Sequence, residues 1–125
     1  MVIAFANNQT LVCIGSTAVT VHTDPVPLSG SDRLTSTANV HSIATNSATG
    51  APQFVYTAQL SNDGGQTWVD SAFVTDTLTS AGIAQDVGTV NAALVRLRFV
   101  FSNPLAVGTD VSTVCFDLHV KVDHV

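Results

Sequence analysis

The chain has 125 residues, which suits one domain with a real core and leaves too little for two comfortable ones. Charged residues make up 10% of it, against about 25% in an average globular domain, and the net charge of −5 sets nine aspartates against only Arg33, Arg96, Arg98 and Lys121. That balance offers no basic footprint for a phosphate backbone, which argues against nucleic acid as a partner; nineteen valines and sixteen threonines, with no glutamate and one lysine, favour pleated sheet over surface helix.

Residues 1–6, MVIAFA, form a short apolar arm followed by Asn7-Asn8. There is no positively charged leader and no apolar run of the ~18 residues that a membrane-spanning helix needs. The sequence therefore predicts no signal peptide and no transmembrane segment, with synthesis in the cytoplasm and either retention there or release within a particle. Two readings of the arm stand side by side. Residues 1–8 add to a neighbouring subunit, making Met1, Val2, Ile3 and Phe5 candidate contacts, or they form an ordinary edge strand. Residues 11–14 and 17–22 flank Gly15-Ser16 as a hairpin or as one bulged strand. Strand pairing is expected to stop at Thr23-Asp24-Pro25-Val26-Pro27, because proline lacks a donor and restricts the residue before it. Residues 28–32 read as loop and 34–45 as a strand whose apolar members are Val40 and Ile43. Residues 46–52, NSATGAP, read as a loop punctuated by Gly50 and Pro52.

From Gln53 the pattern sharpens. Phe54, Tyr56, Ala58 and Leu60 alternate with Val55, Thr57 and Gln59, the period of a strand with two different faces. Residues 61–66, SNDGGQ, supply side-chain acceptors for nearby backbone N–H groups and two glycines free to adopt positive φ. Residues 67–74 resume in β-branched and aromatic types, so residues 53–74 make a hairpin.

Ser61, Asp63, Gly65, Thr67 and Trp68 lie in the spacing S-x-D-x-G-x-T-W, which resembles the Asp-box repeat of sialidase-like propellers. The resemblance covers eight residues and implies structural roles: Asp63 binds backbone amides inside the turn, Gly65 supplies the left-handed residue and Trp68 packs beneath. Propellers carry several copies; one is found here, in a chain too short for several blades. Tyr56, Gln59, the run Ser61 to Gly64, and Trp68 followed by Val69-Asp70 also resemble hairpins of small β-sandwich proteins of phage particles and of carbohydrate-binding modules.

Residues 75–81 continue as an edge strand or an extended loop, and Gly82 interrupts. Residues 83–87 suggest another short strand and 88–91 a turn. In residues 92–101, Ala93, Val95, Leu97, Phe99 and Phe101 are expected to face the core. Arg96 and Arg98 share the other face, as an exposed pair, a salt-bridged pair or a contact with an acidic neighbouring subunit. Residues 102–110 connect to a final strand, 111–122, with Val114, Phe116, Leu118, Val120 and Val122 inward and Thr113, Cys115, Asp117, His119 and Lys121 outward. Cys13 and Cys115 have no metal-binding spacing and read as buried free thiols on strands that could be neighbours.

The whole predicts an all-β chain, residues 1–125 forming a single antiparallel two-sheet β-sandwich of seven or eight strands, Ig-like or jelly-roll, with a closed barrel as the alternative. Candidate chemistry is thin. Asp117 with His119, and His22 with Asp24, are the pairs that resemble metal ligands, and each reads better as a surface pair. Asp63 with Asn62 offers one carboxylate, poor charge for Ca²⁺. No serine sits in a nucleophile-elbow setting, no glycine-rich phosphate loop is present, and the arginines, single tyrosine and absent glutamates do not match a sialidase centre. The sequence thus predicts no enzyme, no cofactor and no metal. It predicts a virion structural protein that forms homo-oligomers and binds other particle proteins, as a phage capsid decoration or cement protein or a minor capsid, neck or tail component. The competing expectation is a carbohydrate- or receptor-binding module in which Tyr56 and Trp68 form a stacking platform for a glycan.

Overall fold

The computed structural model describes residues 2–49 and 51–124, with the side chain of Phe73 left aside; the arm residue Met1 and the loop residue Gly50 lie outside it. Nine strands are present among the described residues: β1 Val2–Ile14, β2 Val19–His22, β3 Val26–Pro27, β4 Asp32–Thr45, β5 Gln53–Ser61, β6 Val69–Leu78, β7 Gly82–Val90, β8 Leu94–Ser102 and β9 Val111–His124. They form two antiparallel sheets. The first has the order β1-β9-β4-β7, and the second the order β2-β8-β5-β6 with β3 also paired to β8. The two-sheet all-β architecture is the expected one; nine strands replace seven or eight.

The long alternating segments take the central positions, because a strand flanked on both sides and packed on one face buries most. In β9, Val114, Phe116, Leu118, Val120 and Val122 face inward and are nearly inaccessible, and Val95, Leu97, Phe99 and Phe101 of β8 oppose them from the second sheet. Phe54, Phe99 and Phe116 meet at the centre with ring centroids 4.5, 5.3 and 6.0 Å apart, distances at which tilted and edge-on rings attract. Ala93 is the exception on β8: Ala92 is buried in its place, and the strand begins at Leu94. The backbone N–H of Ala93 instead donates to Ser61 O and Asn62 Oδ1, which ties it into the adjoining turn.

Several boundaries differ from the sequence reading, each for a tertiary reason. Residues 2–6 and 11–14 belong to one strand, which pairs antiparallel with β9 of the same chain from Val2↔Lys121 to Ile14↔Val111. Register shifts between Ala4 and Gln9, with Asn8 at φ 50°, absorb the Asn7-Asn8 interruption as a bulge. Pairing does not end at the prolines, since Val26 and Pro27 sit opposite Val95 and Leu94 at an edge, where a missing donor does no harm. Asp32 opens β4 rather than closing a loop. Residues 88–90 extend β7 instead of turning, because Val90 is buried opposite Asp32. On β6, Asp70 pairs with Gln59 and Thr75 with Thr57, so a wide bulge fills the interval opposite Ala58. Cys13 and Cys115 lie on neighbouring strands but on opposite faces; both are free, Cys13 buried and Cys115 half-exposed.

Candidate functional site

Asp63 organises the β5–β6 turn. Its Oδ1 accepts from the backbone N–H of Gln66 at 3.1 Å and of Thr67 at 2.9 Å, and from Ser61 Oγ at 2.8 Å, while Thr67 Oγ1 donates to Oδ2. Those donors, led by the Thr67 hydroxyl, favour the ionised carboxylate and push its pKa down to about 2. Ser61 Oγ also accepts from the Gly65 N–H at 3.0 Å. Gly65 has φ 91°, and a Cβ there would lie 3.4 Å from the Trp68 ring. The Trp68 indole N–H donates to Gly65 O at 3.0 Å, closing the turn on itself.

On the outer face of the second sheet this turn meets β8. The Arg96 guanidinium lies 4.3 Å from the Trp68 ring centroid, a cation–π distance. Arg96 Nε donates to Gln59 Oε1 at 2.9 Å, Gln59 Nε2 donates to Asp70 Oδ1 at 2.9 Å, and Arg98 Nη2 donates to Asp70 Oδ2 at 3.1 Å. Gln59, though on an outer face, is buried beneath this layer. His22, opposite Arg98 on β2, has its pKa lowered by partial burial and then by the positive charge of Arg96 and Arg98. Asp70 is lowered by the Gln59 hydrogen bond and, despite partial burial, by Arg98.

The structure thus joins residues that the sequence reading kept apart, Trp68 of the turn and the Arg96/Arg98 pair, and it adds Gln59, Asp70 and His22. The parity of Gln59 and Asp70 across the hairpin was visible in the sequence; their approach to Arg96 needed the β5–β8 register Gln59↔Arg96. Tyr56 is not part of this surface. It is fully buried on the inner face, where its hydroxyl donates to Asp86 at 2.9 Å and bonds Ser36 at 3.2 Å, so the expected Tyr56–Trp68 stacking platform does not exist. Alternation alone places position 56 on the side opposite Gln59 and the Arg96 layer.

Of the arm residues, Val2 is exposed, while Ile3 and Phe5 are half-buried against the core. Ile3 and Phe5 also line a cleft of about 420 Å³ with Val21, His22, Val26 and Phe99, where the sandwich opens between β1 and β2. A second cleft, about 430 Å³, lies beside the turn and includes Asn62, Asp63, Thr67 and Asn91. Asp117 pairs with His41 Nε2 at 2.9 Å and accepts from Asn8 N–H at 2.6 Å. Among the described residues no three His, Cys, Asp or Glu side chains converge as metal ligands, and no helix is long and apolar enough to cross a membrane.

No family model matches the sequence, and no curated protein matches it significantly. The fold is similar to that in the crystal structure of the infectious bursal disease virus VP2 subviral particle, with a TM-score of 0.64 at 14% identity over 99% of this chain. Structures of the Gx and Gt strains of the same virus give 0.63 and 0.61, also at 14% identity and 99% coverage. The chain spans only about a third of the length of these viral chains, 31–32%. At this identity the likeness is one of fold: an antiparallel β-sandwich of the kind built into those viral particle proteins.

Proposed function

We propose that this protein is a non-enzymatic structural component of a virus particle, assembling with copies of itself and with other particle proteins. The observation that carries the proposal is the fold likeness over 99% of the chain to a subunit of a viral particle. The surface supports it. A chain with 10% charged residues leaves Val2, Ile14, Val69, Ile83, Leu105 and Val107 each more than half exposed, which suits a subunit whose faces are covered on assembly. The finer assignment is a phage decoration or cement protein, or a minor capsid, neck or tail component, resident in the virion. The hairpin resemblance favours it, and the fold similarity to an animal virus is neutral on it.

Trp68 bears on the competing glycan-binding reading. With its N–H bonded to Gly65 O and Arg96 over its ring, it serves the turn and the sheet rather than presenting a free stacking face with Tyr56. Light scattering across a concentration series tests the proposal: the expected outcome is a defined oligomer or binding to a preformed shell. A monomer at all concentrations that binds no particle protein would overturn it.

A further inference from the structure

Arg96 differs from the other cations. Arg33 and Lys121 pair with Asp123, and Arg98 pairs with Asp70; among the described residues no carboxylate lies within ion-pair distance of Arg96. Its Nε is held by buried Gln59 and its plane lies over Trp68, so the guanidinium is fixed in place while its two Nη groups have no acceptor among the described residues. A planar, immobilised fork with free N–H donors matches a carboxylate and loses little entropy on binding one. Val55 and Val100, paired and half-buried farther along the same face, add apolar area around it.

The complement lies on the same chain. Asp76 of β6 and Asp86 of β7 stand where the edge strands of the two sheets come together, and neither has a cationic partner among the described residues. Asp86 Oδ2 accepts from the buried Tyr56 hydroxyl at 2.9 Å and Asp76 Oδ1 from the Thr77 N–H at 2.7 Å, neutral donors that leave two carboxylates along this edge. Exposed Ile83 and Val87 lie on the other, outer face of the same strand β7.

We propose that Arg96, on the outer face of the second sheet, docks the Asp76-bearing β6–β7 edge of a second copy of this chain. The inference rests on the assembly reading above and names the contact. One patch lies on a face and the other along an edge, so each copy gives one and receives the other. Where each copy gives its patch to one neighbour and receives from another, the contact is heterologous and propagates into a ring or a continuing array; where two copies exchange both patches, it closes as a dimer. The chain's own charge pattern supplies the carboxylate, which favours a second copy over an acidic sugar.

Trp68, the sole tryptophan, reports on the site directly. Its fluorescence, followed with light scattering over a concentration series of the full chain, is expected to change as association proceeds. Arg96→Gln is expected to raise the concentration for half-association about tenfold or more. Asp76→Asn, which leaves the Trp68 packing untouched, is expected to do the same. Arg96→Asp and Asp76→Arg chains, each impaired alone, are expected to associate when mixed in equal amounts. Folding of every variant is checked by circular dichroism. Association that proceeds unchanged in both single variants would sink this contact while leaving the particle reading intact. Failure of the wild-type chain to associate, or to bind a shell, would sink both. A Trp68 response to a free carboxylated monosaccharide, blocked by Arg96→Gln while association is not, would assign the site to a glycan instead.

Discussion

At the scale of single residues, Asp63 carries the turn. Its carboxyl binds a proton more weakly in the folded chain than in the unfolded one. Its contribution is therefore fully present above the ordinary carboxylate range near ~4 and is lost as pH falls from there to about 2. Asp70 and Asp117 are lowered as well, the latter chiefly by the Asn8 N–H, and the His124 and Ser29 bonds lower Asp32 against the effect of its burial. All four act in the same direction. The melting temperature is thus expected to drop steeply in acid, and Asp63→Ala is expected to lower it at pH 7 while flattening the drop between pH 4 and 2. An unchanged acid profile in that variant would remove Asp63 from the account. The turn chemistry of Ser61, Asp63 and Gly65 was legible in the sequence because all its partners lie within a few residues. The Gln59–Arg96 bond was not, because it joins residues 37 positions apart.

At the scale of elements, the alternation in β8 and β9 told correctly which side of each strand is buried, since a strand's period is fixed by backbone geometry. Phe116 sits between Phe54 and Phe99 from the opposite sheet. Phe116→Ala, measured by denaturant unfolding, is expected to cost about 3–5 kcal/mol, the range for emptying an aromatic site that cannot collapse. The errors concentrate in edge elements. β3, the end of β7 and the bulged β1 are weakly patterned because one side of each strand faces no neighbour in its sheet, and what decides their extent is the register of the partner strand. Tyr56 shows the limit from the other direction. Its inward parity was readable, yet the buried hydroxyl satisfied by Ser36 and Asp86 depends on β4 and β7, which approach it from the other sheet.

At the scale of the whole molecule, β1 is an edge strand whose outer side is open in the isolated chain. Ala6, Ile3 and Phe5 pack on the core, so removal of residues 1–8 is expected to lower the melting temperature of the monomer itself as well as to weaken assembly. A truncated chain as stable as the full one, yet unable to assemble, would instead make those residues a pure intersubunit arm. Composition and period by themselves determined the all-β class, favoured two packed sheets over a closed barrel, and located the central hairpin with its turn chemistry and the inward residues of β8 and β9. These follow from properties local in sequence: β-branched content, alternation of two and turn residues at fixed offsets. Only the tertiary structure decided which strands are neighbours, that Trp68 and Arg96 form one surface with Gln59 beneath, and that Tyr56 is excluded from it. Strand order and register are settled by the complementarity of two sheet faces built from distant segments, and one sequence read alone carries that information only in the sum of its contacts.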